Sequence, residues 1–311
     1  MDGLSGLPGP DHRRGFWYGV AAYVFWGLFP LYWPLLRPAG PIEILALRVV
    51  WSLVAVGLLL TAARRWPQLR ALTRDRRRLA FVGVGAVTIA INWGTFIYAV
   101  NSGHVLETSL GYFINPLVLV ALGVVVLGER LRAGQWAALS VAAIAVVGLT
   151  LDYGRPPWIA LVLACSFGTY GLMKKRAAVG ATEGLALETA ILAPLALAWL
   201  AWLQLDGQAA FGHEGWLNTV LLIGTGIVTT IPLLLFGGAA TRVPMTTLGM
   251  LQYIAPVMQF VLGLWLFHEA MSPARWVGFG LVWLSLVLLT VESLLRRRRP
   301  DPLDVMEPAR V

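Results

Sequence analysis

Apolar residues run through this chain in long blocks, separated by short polar or charged stretches, and the blocks are too long for strands. Ten stand out, at roughly residues 15–36, 41–62, 79–101, 105–127, 134–151, 156–173, 183–203, 215–239, 245–267 and 274–294. A helix needs about 20 residues to cross a hydrocarbon core. Most of the blocks reach that length, so they predict membrane-spanning helices. The first follows His12, Arg13 and Arg14, as a signal peptide follows its basic end. It is too long for one, contains Pro30 and Pro34, and lacks a small-residue cleavage site, so it is expected to be retained. Residues 1–14 read as a disordered cytoplasmic tail and 295–311 as a basic one.

The blocks repeat. Glu43, Leu45, Ala46 and Leu47 return 140 residues later as Glu183, Leu185, Ala186 and Leu187. Ile114, Pro116, Gly123, Glu129 and Trp136 return at the same offset as Ile254, Pro256, Gly263, Glu269 and Trp276. Shared Leu and Ala mean little in so apolar a chain, but Pro, Glu and Trp in step are hard to obtain by chance. Two fused copies of one unit follow, at 15–151 and 156–294, an arrangement common in transporters.

Composition agrees with lipid as the solvent. The chain has 58% hydrophobic and 13% charged residues, with a mean hydropathy of +0.72, too little charge to cover a soluble globule of 311 residues. Its formal net charge of +8 could point to nucleic acid, but the basic residues fall in short runs between apolar blocks and build no continuous face. They act as topological anchors. With the amino terminus inside, the inner loops hold Arg13 and Arg14, seven Arg from Arg64 to Arg78, Arg130 and Arg132, Lys174 to Arg176, Arg242, and Arg296 to Arg299 with Arg310. The outer loops hold only Arg37, Arg155 and Arg275, so both termini are expected in the cytoplasm. Five crossings per copy is an odd number, so the second copy enters the membrane the other way up. The expected fold is an all-α integral membrane protein of ten transmembrane helices in two inverted five-helix repeats.

Candidate chemistry is found where the bilayer makes polarity costly. Arg48 lies about seven residues into the second helix, roughly 10 Å below the interface at 1.5 Å per residue. A charge at that depth costs several kcal/mol unless it faces a cavity or a partner. Its counterpart in the second copy is Glu188, so one slot carries a cation in one half and an anion in the other. Arg48 is expected to attract an anionic substrate group and Glu188 to bind a cation or a proton; pairing with a neighbour is the structural alternative for each. Thr108, Tyr112 and Asn115 share one helix face, as do Gln252 and Gln259, with Tyr253 beside Gln252. Pro116 and Pro256 occupy matching slots and each frees a carbonyl one turn earlier. These groups are expected to line a cavity, with interhelical bonding as the alternative. Trp26, Trp51, Trp93 and Tyr98 are candidate aromatic walls. Glu129 and Glu269 read as capping or loop-pairing groups. Gly83, Gly85, Gly224, Gly226, Gly278 and Gly280 are expected to let helices approach closely.

Enzyme signatures are missing: there is no phosphate loop, zinc-helix motif or nucleophile elbow, and the four His fall in loops or tails. No catalytic residue, metal or cofactor is expected. Cys165, the one Cys, excludes a disulfide within the monomer and reads as a small buried hydrophobe.

Asn92-Trp93, Asn101-Ser102-Gly103-His104 and the run Ser109 to Leu117 resemble the RarD subgroup of EamA transporters in the drug/metabolite transporter superfamily. Thr247-Leu248-Gly249 and Leu251 to Pro256 agree, and the likeness runs from Gly15 to about Glu292. In one place the chain departs from that pattern: Leu47, rather than His, precedes Arg48. The resemblance implies ten helices, two inverted EamA repeats and a substrate route between them; the name "chloramphenicol-sensitivity protein" attached to the subgroup describes a phenotype. Together with the residues it gives the expected function, a secondary transporter exporting a small metabolite or amphipathic compound across a bacterial cytoplasmic membrane by alternating access. Import or facilitation is the alternative within the class. A lipid-acting membrane enzyme would gather acids or His at one interface, and a sensor would add a soluble domain. The expected partners are the bilayer and a small-molecule substrate, with no nucleic acid; a coupling proton and a homodimer are left open.

Overall fold

The computed structural model describes residues 10–127, 133–240, 242–243 and 245–297. Among these the regular structure is helical: α1 Pro10–Tyr32, α2 Pro41–Ala62, α3 Trp66–Thr73, α4 Arg76–Asn101, α5 Val105–Leu127 and α6 Ala133–Tyr153. The remainder is α7 Trp158–Ala177, α8 Ala181–Leu205, α9 Gly215–Ala240, α10 Met245–Leu251, α11 Ile254–Trp265 and α12 Pro273–Arg297. Seven described stretches, in α1, α2, α4, α6, α8, α9 and α12, are long and apolar enough to cross a membrane. Trp158–Lys174 in α7 and Ile254–Trp265 are shorter apolar helices.

Local chemistry explains several boundaries and corrects four expectations. Helix α1 starts at Pro10, so residues 10–14 are helical and not part of a disordered tail. Pro is suited to a first helical position, and Asp11 complements the helix amino terminus. At its other end a 3-10 turn at Trp33–Leu36, with Pro34 inside it, closes the segment. The Arg-rich loop contains α3, started by Pro67 and covering the core with half-buried Leu69 and Leu72. Asp75 then caps α4 by accepting from the Arg77 and Arg78 amides at 3.1 Å. The predicted helix 245–267 is two helices. Pro256 has no N–H for the Gln252 carbonyl, and the Tyr253 amide bonds instead to Met250 O at 3.3 Å, so the ladder breaks at Gln252–Tyr253. Tyr253 keeps helical dihedrals, φ −72° and ψ −14°, which makes the break a bend in the ladder. At the carboxyl end α12 continues to Arg297, into the span read as a basic tail.

The helices form two compact units, each drawing on both halves of the sequence. The larger takes the chain up to Tyr112 and then Ile159–Ala270. In it α2 and α8 pack antiparallel: Ala46 and Val49 meet Ala196, Trp199 and Leu200, while Val56 and Leu60 meet Leu185 and Ala186. Helix α9 lies on α2, and α1 runs along α9 and α11. On the other side α4 packs on α8 and α2. The Asn92 amide of α4 reaches α7, donating to Leu163 O at 3.0 Å and Ser166 Oγ at 3.1 Å. The smaller unit, Phe113–Trp158 with the chain from Met271 onward, pairs α6 with α12. Its ends are joined by Asp152, which takes an ion pair from Arg275 Nε at 2.9 Å and a hydrogen bond from Ser272 Oγ at 2.8 Å.

Glycines mark some of the closest approaches, though not all those expected. A Cβ on Gly226 would stand 2.3 Å from the Trp51 carbonyl oxygen, and one on Gly278 would stand 2.5 Å from Leu149. Gly224 packs under the Tyr32 hydroxyl, 2.9 Å from where its Cβ would be, and Gly85 makes ordinary contacts with Tyr170 and Met173. Gly83 and Gly280 have nothing within 4 Å, so they do not serve helix approach. The two classes should separate by mutation. Gly226→Ala pushes α9 off the α2 backbone and should cost about 1–3 kcal/mol. Gly83→Ala, in open space, should be neutral or raise stability by up to about 1 kcal/mol. Thermal melts of the purified variants in one detergent check both.

Candidate functional site

Arg48 is 3% exposed on α2, and its environment is aromatic. The guanidinium carbon lies 3.9 Å from the centre of the Trp93 ring, 5.2 Å from Trp33 and 5.5 Å from Phe29. Ring faces carry negative charge density, so three of them around one cation replace part of its lost hydration. Nε donates to Thr229 Oγ1 at 2.8 Å, and Thr229 Oγ1 in turn donates to Thr225 O at 2.8 Å, which fixes the acceptor. Among the described residues no carboxylate lies within ion-pair distance of Arg48. A cation held this way keeps its charge available.

Glu188, 2% exposed on α8, is held in the opposite manner. Oε1 pairs with Lys174 Nζ at 2.9 Å, and Oε2 accepts from the Tyr170 hydroxyl at 3.2 Å. Lys174 ends α7 and is 27% exposed, so its stem lies along the protein while its ammonium reaches the buried acid. Tyr170 and Lys174 are one helical turn apart, which brings both to one carboxylate. Glu188 therefore has its cation in this structure, supplied by the protein.

The other sequence candidates divide into those near Arg48 and those elsewhere. Trp93 is the nearest wall of the cage. Trp51, one turn beyond Arg48, stacks obliquely with Phe211 at 6.4 Å within the same hydrophobic cluster as Phe29 and Trp33. The Tyr112 hydroxyl donates to Asn92 Oδ1 at 3.2 Å, so the Asn92 side chain has both its oxygen and its nitrogen engaged. Trp26 belongs to a ring group with Tyr23 at 5.2 Å and Phe236 at 5.7 Å, and its carbonyl accepts from Gln259 Nε2 at 3.3 Å. Gln259 Oε1 accepts from Thr108 at 3.4 Å, and Pro256 O accepts from Ser109 at 2.8 Å, so this polar set joins α1, α5 and α11. Gln252 and Tyr253 sit half-buried at the bend between α10 and α11. Asn115 is 3% exposed with an unpartnered Oδ1, and Pro116 follows it inside an unbroken α5. Tyr98 is 42% exposed on α4, away from the cage. Cys165, expected to be buried, is exposed.

Three repeat-related acids act as clamps. Glu43 accepts from the Ala210 and Phe211 amides, both at 2.9 Å, and holds the segment between α8 and α9. Its counterpart Glu183 pairs with Arg65 at 3.2 Å, in the corresponding segment after α2. Glu269 caps α5 by accepting from the Val105 and Leu106 amides, as its loop position implied. Glu129 lies outside the described residues. Several participants were missed from sequence: Phe29, Trp33 and Thr229 around Arg48, Lys174 and Tyr170 around Glu188, and Glu107, a carboxylate 2% exposed in the first turn of α5. The adjacent Thr229 and Thr230 ahead of Pro232 were the visible signal for the first group. Lys174 was taken for a surface anchor because it ends an apolar run.

Comparison with known proteins places this architecture. The model of the EamA-like transporter family matches twice, at residues 13–151 and 156–291. Protein RarD of Streptomyces exfoliatus is 55% identical over 289 residues, covering 93% of this chain and 92% of the relative. An uncharacterized transporter of Pseudomonas aeruginosa is 41% identical over 294 residues, covering 93% and 98%. A solved crystal structure, 20% identical, matches 93% of this chain and 99% of its own with a TM-score of 0.56, a likeness of fold alone. The chain belongs to the EamA-like transporter family and, within it, to the RarD subgroup of the drug/metabolite transporters, and is a multi-pass membrane transporter.

Proposed function

We propose that the protein is a secondary transporter of a bacterial cytoplasmic membrane, built from two inverted five-helix repeats and exporting a small metabolite or amphipathic compound by alternating access. The ten crossings are α1, α2, α4, α5 and α6, then α7, α8, α9, the α10–α11 pair and α12, with both termini in the cytoplasm. Three observations support the inversion. Helices α2 and α8, which occupy the same slot in the two copies, pack antiparallel. Glu43 and Glu183, 140 residues apart, each clamp a segment of the other copy. Gly19 meets Leu251 across α1 and α10, and the counterpart of Leu251, Gly111, meets Ala160, next to the counterpart of Gly19, across α5 and α7.

The observation that carries the functional reading is Arg48, a buried cation surrounded by rings and one hydroxyl. A structural charge in a bilayer is ordinarily neutralised by an acid. Arg48 attracts the anionic group of the substrate, and the surrounding rings bind the apolar part. In this structure the site is closed over; alternating access opens it to each side in turn. Glu188 forms the second polar post, exchanging Lys174 for a proton or cation as the helices move.

Purified protein in proteoliposomes, offered a pool of small metabolites under an imposed proton gradient, is expected to give saturable flux. Arg48→Ala should cut that flux about tenfold or more while inserting at normal levels, since a charge-assisted contact is worth about 1.5–3 kcal/mol. Loss of folded protein instead would make Arg48 structural. Glu188→Gln should leave binding and abolish the response to the proton gradient; unchanged coupling would remove Glu188 from the transport cycle. Lys174→Met strands the buried carboxylate and should lower stability by about 3 kcal/mol, with most of it regained in the Lys174→Met/Glu188→Gln double variant. Melting temperatures of the three proteins decide that point.

A further inference from the structure

Folded interiors seldom leave hydrogen-bond donors unspent, yet several are unspent around Arg48. A guanidinium has five N–H donors. Among the described residues only Nε is committed, to Thr229. Trp33 is 0% exposed, lies 5.2 Å from the guanidinium, and its indole Nε1 has no acceptor. The buried Nε1 of Trp51, one turn along α2, also lacks one. Ser52, in register with Arg48 at the next turn, and Thr230, beside Thr229, carry buried hydroxyls with no partner. The turn Trp33–Leu36, one turn of α2 and one of α9 thus hold a guanidinium and two indole N–H groups that only donate, with two hydroxyls that can donate or accept.

The buried and half-buried acids described in the same unit are already engaged. Glu43 is bound by two amides, Glu183 by Arg65, Glu188 by Lys174 and Tyr170, and Glu269 by two amides. Glu107 has a partner as well, although its buried Oε2 accepts no hydrogen bond among the described residues. A ligand ammonium would find no carboxylate in this set without a partner of its own, and burying it unpaired is costly. A primary amide would bring two N–H donors of its own into a donor-rich site. A carboxylate brings only acceptors, and its planar pair of oxygens matches the guanidinium fork.

We propose that the Arg48 cage selects an organic monoanion, a carboxylate on an apolar or aromatic body, over zwitterionic amino acids and over neutral amphipaths. This rests on the reading of Arg48 as the substrate site and names the class of substrate it takes. The rings of Trp93, Trp33 and Phe29 hold the apolar body, while Arg48 and the Trp33 indole N–H recognise the carboxylate.

Three probes of nearly one shape test it: phenylpropanoate, its neutral amide phenylpropanamide, and phenylalanine. Each is titrated into the purified full-length protein, with tryptophan fluorescence and thermal shift as readouts. Phenylpropanoate should bind saturably and about tenfold or more tighter than the other two. Arg48→Lys keeps the charge but removes the fork, and should weaken phenylpropanoate about tenfold. Trp33→Phe keeps the ring but removes the donor, and should weaken phenylpropanoate several-fold with little change for the amide. Equal or tighter binding of the amide or of phenylalanine overturns the proposal, as does no binding by any of the three. If phenylalanine wins and Arg48→Lys abolishes its binding, the substrate site stands and only the class falls. If phenylpropanoate binds wild type and Arg48→Lys equally, the site falls too.

Discussion

A guanidinium buried in a membrane protein, with no acid among the described residues to neutralise it, is the constraint around which the larger unit is arranged. Three rings, from α1, its closing turn and α4, must converge on one point of α2, and α9 must come close enough for Thr229 to accept from Nε. That closeness requires Gly226, since any side chain there would meet the α2 backbone. Tyr32 and Asn218 hold the opposite end of the same contact, bonding Leu221 O across to α9 and the Leu36 and Arg37 carbonyls across to the α1 turn. The cation thus depends on helices from both halves of the sequence. A transporter that moves its halves against each other would change the surroundings of Arg48 at every cycle.

The two copies use one backbone slot for opposite purposes. Among the described residues Arg48 has only Nε bonded, to Thr229, whereas Glu188 is satisfied internally by Lys174 and Tyr170. The family model matches both halves of the chain, and Glu43 and Glu183, 140 residues apart, each hold a segment of the other half, while the chemistry at positions 48 and 188 differs. The broken ladder at Gln252–Tyr253 is another divergence. Pro116 sits in an unbroken α5, while Pro256, in the matching slot, follows a break. Proline alone does not decide which happens, since both slots hold one; the second is also tied to α5 by the Ser109 hydroxyl bonded to Pro256 O.

Hydropathy and charge made much of this legible before any coordinates. Nearly every apolar block became a helix close to its predicted limits, because a bilayer leaves the backbone few other options. Arg48 and Glu188 stood out for the same reason: a charge within an apolar run is conspicuous. Their partners did not. Phe29, Trp33 and Trp93 are three rings in a chain with 14 Trp, and only folding selects which of them face the cation. Lys174 looked like one more inner-face anchor because sequence gives its position along the helix but not the direction of its stem. Gln259 reads from sequence as cavity lining, with an interhelical bond as the alternative, and its amide bonds across helices to Trp26 O. Helix α3 was hidden because its eight residues are too few and too charged to register as an apolar block.

Transport through this site requires Arg48 to lie on a route open in turn to both sides of the membrane. Ser52 tests this with little disturbance: it is 0% exposed, its hydroxyl has no partner, and it lies one turn from Arg48. The measurement is the labelling rate of Ser52→Cys, in a Cys165→Ser background, by a small membrane-impermeant thiol reagent added to one side or the other of oriented vesicles. Labelling from each side separately, slowed when a transported substrate is present, is the expected result. A cysteine unreactive from both sides, in protein that still transports, would contradict it and return Arg48 to the structural core.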